Sequence, residues 1–321
     1  MQIRLFGATE VVAGERRLSA KDIPGVKPRQ ILEVLALNVG RPVSKDQLAE
    51  TLWDGAPPAS VMATLEGYMS LLRKAIEPEA SARESVIRTS AGTYTLDEQR
   101  VVVDVAVIAD LASRLALGLP VTDDEVGAGV ALLSGELLES ERYATWAEDA
   151  RAQMAVSAAA LLTAAARRAA ADGERERGCM LAQRAVDLDP LAEDAWRIRI
   201  ECLWLRGRGG DALRVYARLK DLLAAELGVA PAPETRALAG RIREGLGASG
   251  GGAARTAGGG QAGHDRLAAR LVLRTASALG MDPAHVRPAH LESAIRDVVA
   301  DLTRLGLVDG APALAPASRP G

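Results

Sequence analysis

Histidine and cysteine are scarce in this chain, three and two in 321 residues, and their placing excludes several kinds of chemistry. Cys179 and Cys202 sit inside helical patterns with no His or Cys at ligand spacing, so both read as small core residues in a reducing compartment. His264, His285 and His290 have no cysteine or second carboxylate cluster nearby, which leaves no zinc-type ligand set. A phosphate-binding Gly-x4-Gly-Lys-Ser/Thr loop is also missing. The run Gly258-Gly259-Gly260 lacks both the preceding strand and the following lysine that such a loop needs. The expectation is a protein without metal, without cofactor and without enzymatic activity. Apolar runs never approach the roughly 20 residues that span a bilayer, and Met1 leads into a β-like segment rather than a basic-then-apolar leader. A cytoplasmic location away from membranes follows as an expectation.

A surplus of positive charge is missing too. The formal net charge is −3, and residues 1–100 hold 13 basic and 13 acidic side chains. Non-specific attraction to phosphate grows with surface Lys and Arg, so any role on nucleic acid must rest on local placement.

What is present is a series of segments with clear periods. Residues 2–6 and 10–18 alternate apolar and polar side chains around Gly7 and Gly14, the pattern of short antiparallel strands. Pro28 opens a helix whose apolar face is Ile31, Leu32, Val34, Leu35 and Leu37, ending at Gly40. Ser44, with Gln47 three residues on, forms the capping box of a second helix that ends near Trp53. A loop containing Pro57-Pro58 leads to a third helix, Ser60 to Ile76. Its Leu65, Met69, Leu72 and Ile76 face a core, while Thr64, Gly67, Tyr68, Leu71 and Lys74, with Ser70 and Arg73 at the edges, face outward. Val86–Thr89 and Thr93–Leu96 around Ser90-Ala91-Gly92 predict a β-hairpin. A helix-turn-helix followed by such a hairpin is a winged helix.

Further along, Val103–Gly118 and Asp124–Leu138 are helical in period, as is nearly everything from Ala155. Gly173 and Gly207 are 34 residues apart, the period of tetratricopeptide helix pairs, although the flanking helices match best at an offset of 32, pairing Gly178 with Gly210 and Leu181 with Leu213. A last helix covers about Glu234–Leu246. The fold class is therefore mainly α: an N-terminal winged helix-turn-helix with a small sheet and hairpin wing, then an all-α tetratricopeptide-like domain. We expect domains at 1–98 and 101–246, a Gly-rich linker at 247–263, an unassigned helical pair within 264–308, and a disordered Pro-rich tail at 309–321.

The order of a strand-rich start, KPRQILEVLAL, GRPVSKDQLAETLW, a Pro-Pro loop, TLEGYMSLLRKAI and a Gly-Tyr hairpin resembles the OmpR-type winged helix of the Streptomyces antibiotic regulatory proteins. LLSGELLESERYATWAEDAR and the helices behind it resemble the bacterial transcriptional activation domain that follows it in that family. The resemblance covers about residues 1–245. It implies an activator of a secondary-metabolite gene cluster that binds double-stranded DNA at direct repeats as a homodimer and recruits RNA polymerase through its sigma and alpha subunits.

For base and phosphate contacts we expect Thr64, Tyr68, Ser70, Arg73 and Lys74 on the third helix, and Arg88 and Thr93 on the wing. Lys27, Arg29 and Lys45 stand at helix starts, where free N–H groups favour phosphate. The resemblance places polymerase contact at Trp53 and Asp54. Three departures stand out: Leu71 replaces a common arginine, Glu66 adds a negative charge, and Thr93 stands where a glycine usually precedes the wing tyrosine. The rival expectation is a tetratricopeptide-like scaffold or ligand-sensing regulator with weak DNA binding.

Overall fold

The computed structural model describes residues 1–53, 56 and 58–250, with side chains through residue 247. Asp54, the helical pair within 264–308 and the tail at 309–321 lie outside the described residues.

The chain opens with three antiparallel strands, β1 (Gln2–Arg4), β2 (Glu10–Ala13) and β3 (Arg16–Ser19), in the register Ile3↔Val11 and Val11↔Leu18. Ile3 and Val11 point inward and are fully buried, as the alternating sequence requires. A short strand, β7 (Val102–Val103), later pairs parallel with β1 and closes the order β3-β2-β1-β7.

The helix-turn-helix follows. Helix α1 (Val26–Leu37) buries Ile31, Leu32 and Leu35. Helix α2 (Lys45–Trp53) starts on the expected capping box: Gln47 N donates to Ser44 Oγ at 3.0 Å, and Ser44 N donates to Gln47 Oε1 at 3.0 Å. Helix α3 (Val61–Ile76) buries Leu65, Met69, Leu72 and Ile76, the stripe read from spacing. Strands β5 (Ile87–Ser90) and β6 (Thr93–Leu96) form the wing, with Gly92 at φ 82° taking the left-handed turn position so that Thr93 need not. Strand β4 (Val43–Ser44) adds to the other edge of β6, giving the order β4-β6-β5.

Among the described residues seven α-helices follow: α4 (Asp104–Ala116), α5 (Asp123–Leu132), α6 (Glu148–Ala171), α7 (Arg175–Leu188), α8 (Glu193–Leu205), α9 (Gly209–Leu227) and α10 (Pro233–Gly250). Helix α10 continues to Gly250, four residues into the stretch read as linker. Gly173 and Gly207 take the same positive-φ position before α7 and α9, at φ 84° and 77°. Burial decides the repeat offset. Gly178 is buried, and a Cβ there would lie 3.2 Å from Ala166 O and Cys202 Sγ, whereas Gly210 faces open space. The structural equivalents lie 34 residues apart, pairing Gly178 with the buried Ala212 and Leu181 with Val215. The offset of 32 is thus corrected: side-chain similarity favoured a pairing in which one member points inward and the other out.

A second correction concerns the helix expected to Leu138. It stops at Leu132, because the segment from Leu133 to Ala147 returns to the first sheet. Phe6 bridges Leu137, Gly7 N donates to Glu136 O at 2.8 Å, and Leu138 N donates to Leu5 O at 2.8 Å. Leu138 is the non-glycine residue at positive φ, 54°, among those described, and it is fully buried. A left-handed leucine costs about 1–2 kcal/mol, which the backbone pairing on either side offsets. On the same seam Asp104 accepts backbone N–H bonds from Leu5 at 2.8 Å, Phe6 at 2.9 Å and Val105 at 2.8 Å. The winged helix and the helical half are therefore pinned together by backbone, not merely tethered.

Candidate nucleic-acid interface

Helix α3 is held from behind by its apolar stripe and presents Met62, Gly67, Ser70, Leu71 and Lys74 to solvent. Leu71 is 47% exposed, an apolar side chain at the centre of this face. Lys45, from the start of α2, and Thr89, from the wing, lie at its margin, and with Ser70, Arg73, Lys74 and Tyr94 they line one open groove of about 430 Å³. Three separate elements thus converge on a single surface. Glu66 and Glu77 share the groove with its three cations, and an exposed helix face beside a β-hairpin is the arrangement that enters a major groove while the wing rests on the adjacent backbone.

The side chains on this surface have unequal freedom. Lys74 is exposed and makes no ion pair among the described residues, and Ser70 is exposed as well. Thr64 is half-buried, its hydroxyl donating to Ser60 O at 3.0 Å. The Tyr68 ring stacks on Trp53, centroids 6.3 Å apart at 23°, so the two aromatic side chains fix the first half of α3 against the end of α2. Trp53 therefore ends α2 as a half-buried anchor.

Arg73 is spent on the protein itself. Its Nη2 donates to Ile87 O at 2.6 Å and to Thr89 Oγ1 at 2.7 Å, and its guanidinium lies 5.8 Å from the Tyr94 ring centroid. Burial lowers its pKa from the ordinary arginine value, against opposing pulls from Tyr94 and Glu77. Arg73 is the strut that sets the angle between α3 and the wing. Arg88 pairs with the buried carboxylate of Asp97 at the wing base, and Thr93 Oγ1 donates to Ser90 O at 3.0 Å across the turn.

Lys45 is on the surface but not at a free helix end. Its backbone N–H donates to Gly92 O at 2.9 Å, so the wing turn occupies part of the α2 N-terminus. Its Nζ donates to Glu66 Oε1 at 2.5 Å and lies 5.6 Å from the Tyr94 centroid; the bond to Glu66 raises the ammonium pKa above the usual lysine value.

Lys27 and Arg29 lie away from this surface, in the contacts of the first turn of α1. The first turn of α1 abuts the end of α2 and the segment after Leu138. Lys27 Nζ donates to Leu52 O and to Gln30 Oε1. Arg29 Nη2 donates to Glu141 Oε1 at 2.6 Å, and Gln30 Nε2 donates to Glu141 Oε2 at 2.8 Å. Glu33, fully buried on α1, accepts Thr9 Oγ1 at 2.5 Å and lies 3.5 Å from Arg29 Nε. Burial pushes its carboxyl up to about 7 against the Thr9 bond; Glu141 adds to the rise and Arg29 opposes it. This buried cluster escaped sequence reasoning. Its one signal was an acid among the apolar residues of α1.

The fold thus defines a class: a winged-helix regulator whose DNA-reading domain is fastened to a stack of helical hairpins. The family description "Transcriptional regulatory protein, C terminal" matches residues 25–94, and "Bacterial transcriptional activator domain" matches residues 108–243. The chain belongs to the Streptomyces antibiotic regulatory protein family of transcriptional activators. It is 29% identical over 231 residues to the regulatory protein AfsR of Streptomyces griseus, covering 67% of this chain and 22% of that protein. It is 29% identical over 225 residues to the transcriptional regulatory protein EmbR of Mycobacterium tuberculosis, covering 67% and 57%. With the regulatory protein DnrI of Streptomyces peucetius it shares 29% over 254 residues, covering 72% and 88%. The solved structure of M. tuberculosis EmbR in complex with a low-affinity phosphopeptide superposes with a TM-score of 0.62 at 26% identity, covering 76% of this chain and 65% of that one. The chain thus spans about a fifth of AfsR and less than two thirds of EmbR. These relatives are transcriptional regulators. Among the described residues no helix is long and apolar enough to cross a membrane.

Proposed function

We propose that this chain is a sequence-specific DNA-binding activator of a secondary-metabolite gene cluster. The observation that carries the reading is the convergence of the exposed α3 face, Lys45 and the wing on one surface, stiffened from behind by Arg73. In this reading Ser70 approaches base edges, with Thr64 behind it, and Lys74 approaches phosphate. Lys45 and the exposed side of Arg88 approach phosphates, while Trp53 and Tyr68 brace the helix beside the polymerase-facing loop that contains Asp54. Two protomers occupy direct repeats about one helical turn apart, so that both lie on one side of the duplex, and RNA polymerase is recruited through its sigma and alpha subunits.

Few cations are left for phosphate. Lys27 and Arg29 are committed to the seam and Arg73 to the wing, which leaves Lys74 together with Lys45 and Arg88, the last two sharing their charge with Glu66 and Asp97. With on the order of two or three phosphate contacts per protomer, the salt slope per protomer is about −2 to −3, and pairing on repeats supplies the rest of the affinity. The test is a gel-shift titration against fragments upstream of neighbouring biosynthetic genes, compared with random DNA of equal length. Tighter binding to a fragment carrying repeats, weakened by Lys74→Ala, supports the reading. Equal binding to random DNA defeats it.

A further inference from the structure

Away from the α3 face, a cleft of about 500 Å³ opens between α7, α8 and α9. Met180, Leu203 and Val215 give it an apolar wall, and five arginines line it against two carboxylates, Glu176 and Asp211. Those carboxylates are already used. Asp211 is paired with Arg208 at 2.6 Å and with Arg214, and Glu176 with Arg206 at 3.4 Å. Arg199 and Arg218 make no ion pair among the described residues. Asp187, which acts on Arg199 electrostatically, accepts Gln183 Nε2 at 2.6 Å.

Arg199 is half-buried beside Cys179. Burial lowers its pKa from the usual arginine value; Cys179 and Asp187 oppose the fall, and Arg218 adds to it. Both guanidiniums line the cleft beside its apolar wall without a carboxylate partner among the described residues, and an anion shared between them gains charge-assisted hydrogen bonds. A cleft of this size that sets convergent cations beside an apolar wall suits a small amphipathic ligand.

We propose that this cleft binds a small organic anion, a carboxylate or phosphate ester with an apolar chain, its head between Arg199 and Arg218 and its chain against Leu203 and Val215. Because Arg199 stands on α8 and Arg218 on α9 while Met180 is on α7, such a ligand bridges both helical hairpins. The site stands independently of the DNA-binding reading.

The test uses the full chain, with hexyl phosphate and hexanoate as probes and hexanol as the neutral counterpart. Calorimetry measures binding, and the rate of Cys179 alkylation by iodoacetamide reports occupancy of the cleft. Cys202 does not compete, being fully buried with its thiol pushed up to about 11 by burial. At least one anion should bind with unit stoichiometry and slow Cys179 alkylation, the stronger one naming the head group, while hexanol does neither. Arg199→Ala and Arg218→Ala should each raise Kd by about tenfold or more. Arg218 is exposed, so Arg218→Ala keeps its fold even if Arg199→Ala does not. The proposal is overturned if neither anion binds at about 10 mM, if hexanol binds as well as the anions, if inorganic phosphate matches hexyl phosphate, or if Arg218→Ala binds unchanged.

Discussion

Replacing Glu33 by glutamine should make the protein more stable at alkaline pH and flatten its pH dependence. The carboxyl is fully buried on α1, accepts the Thr9 hydroxyl, and has Glu141 across the seam, so its pKa rises from the usual 4.5 to about 7. A folded-state pKa above the unfolded value means that folding takes up a proton between the two. Stability from this group is complete below about pH 4.5 and is lost as pH climbs to 7. A rise of about 2.5 units, at about 1.36 kcal/mol each, amounts to about 3 kcal/mol, of which about 2.5 falls between pH 5 and pH 8. Glutamine keeps an oxygen for Thr9 and carries no charge. Urea denaturation followed by tryptophan fluorescence at pH 5, 6, 7 and 8 measures the effect. The wild type should weaken across that range relative to Glu33→Gln, and the variant should be the more stable at pH 8. Parallel curves, or a variant less stable at pH 8, would refute the claim that burial outweighs Arg29.

Arg73→Ala should destabilise the winged helix by about 1.5–3 kcal/mol through loss of two charge-assisted bonds to the wing, visible as a lower Tm. Lys74→Ala should leave Tm unchanged and reduce the salt slope of DNA binding by about 1 per protomer. In the helical half, Gly178→Ala should cost about 1–3 kcal/mol, because its new methyl meets Ala166 O and Cys202 Sγ at 3.2 Å. Gly210→Ala should stay within about 0.5 kcal/mol, a contrast in denaturation midpoints that also separates the 34-residue register from the shorter one. Asp104→Asn should cost about 1–3 kcal/mol, since an amide cannot accept all three backbone N–H groups that converge on this carboxylate.

Much of the architecture was legible because the signals are local. The stripe Leu65, Met69, Leu72, Ile76, the Ser44–Gln47 box and the Ser90–Gly92 turn each depend on residues within one helical turn or one hairpin, and each stands in the structure as read. The exposed face of α3 followed from the same periodicity. The end of α5 did not: a helical period ran on to Leu138, but the chain turned back to pair with Phe6, a partner more than a hundred residues away.

The roles of the basic residues divided along the same line. Composition and spacing alone determined that a helix would present Ser70, Leu71 and Lys74 outward beside a wing, because side-chain direction along a helix is fixed by its 3.6-residue turn. Which cations remain free to meet phosphate was decided only by the tertiary structure. Arg29 meets Glu141 across 112 residues of chain, Arg73 meets Ile87 and Thr89 on the wing, and the α2 N-terminus meets the wing turn at Gly92. A guanidinium pairs with whatever acceptor folding brings within about 3 Å, and that distance is a property of packing between elements, not of the pattern within any one of them.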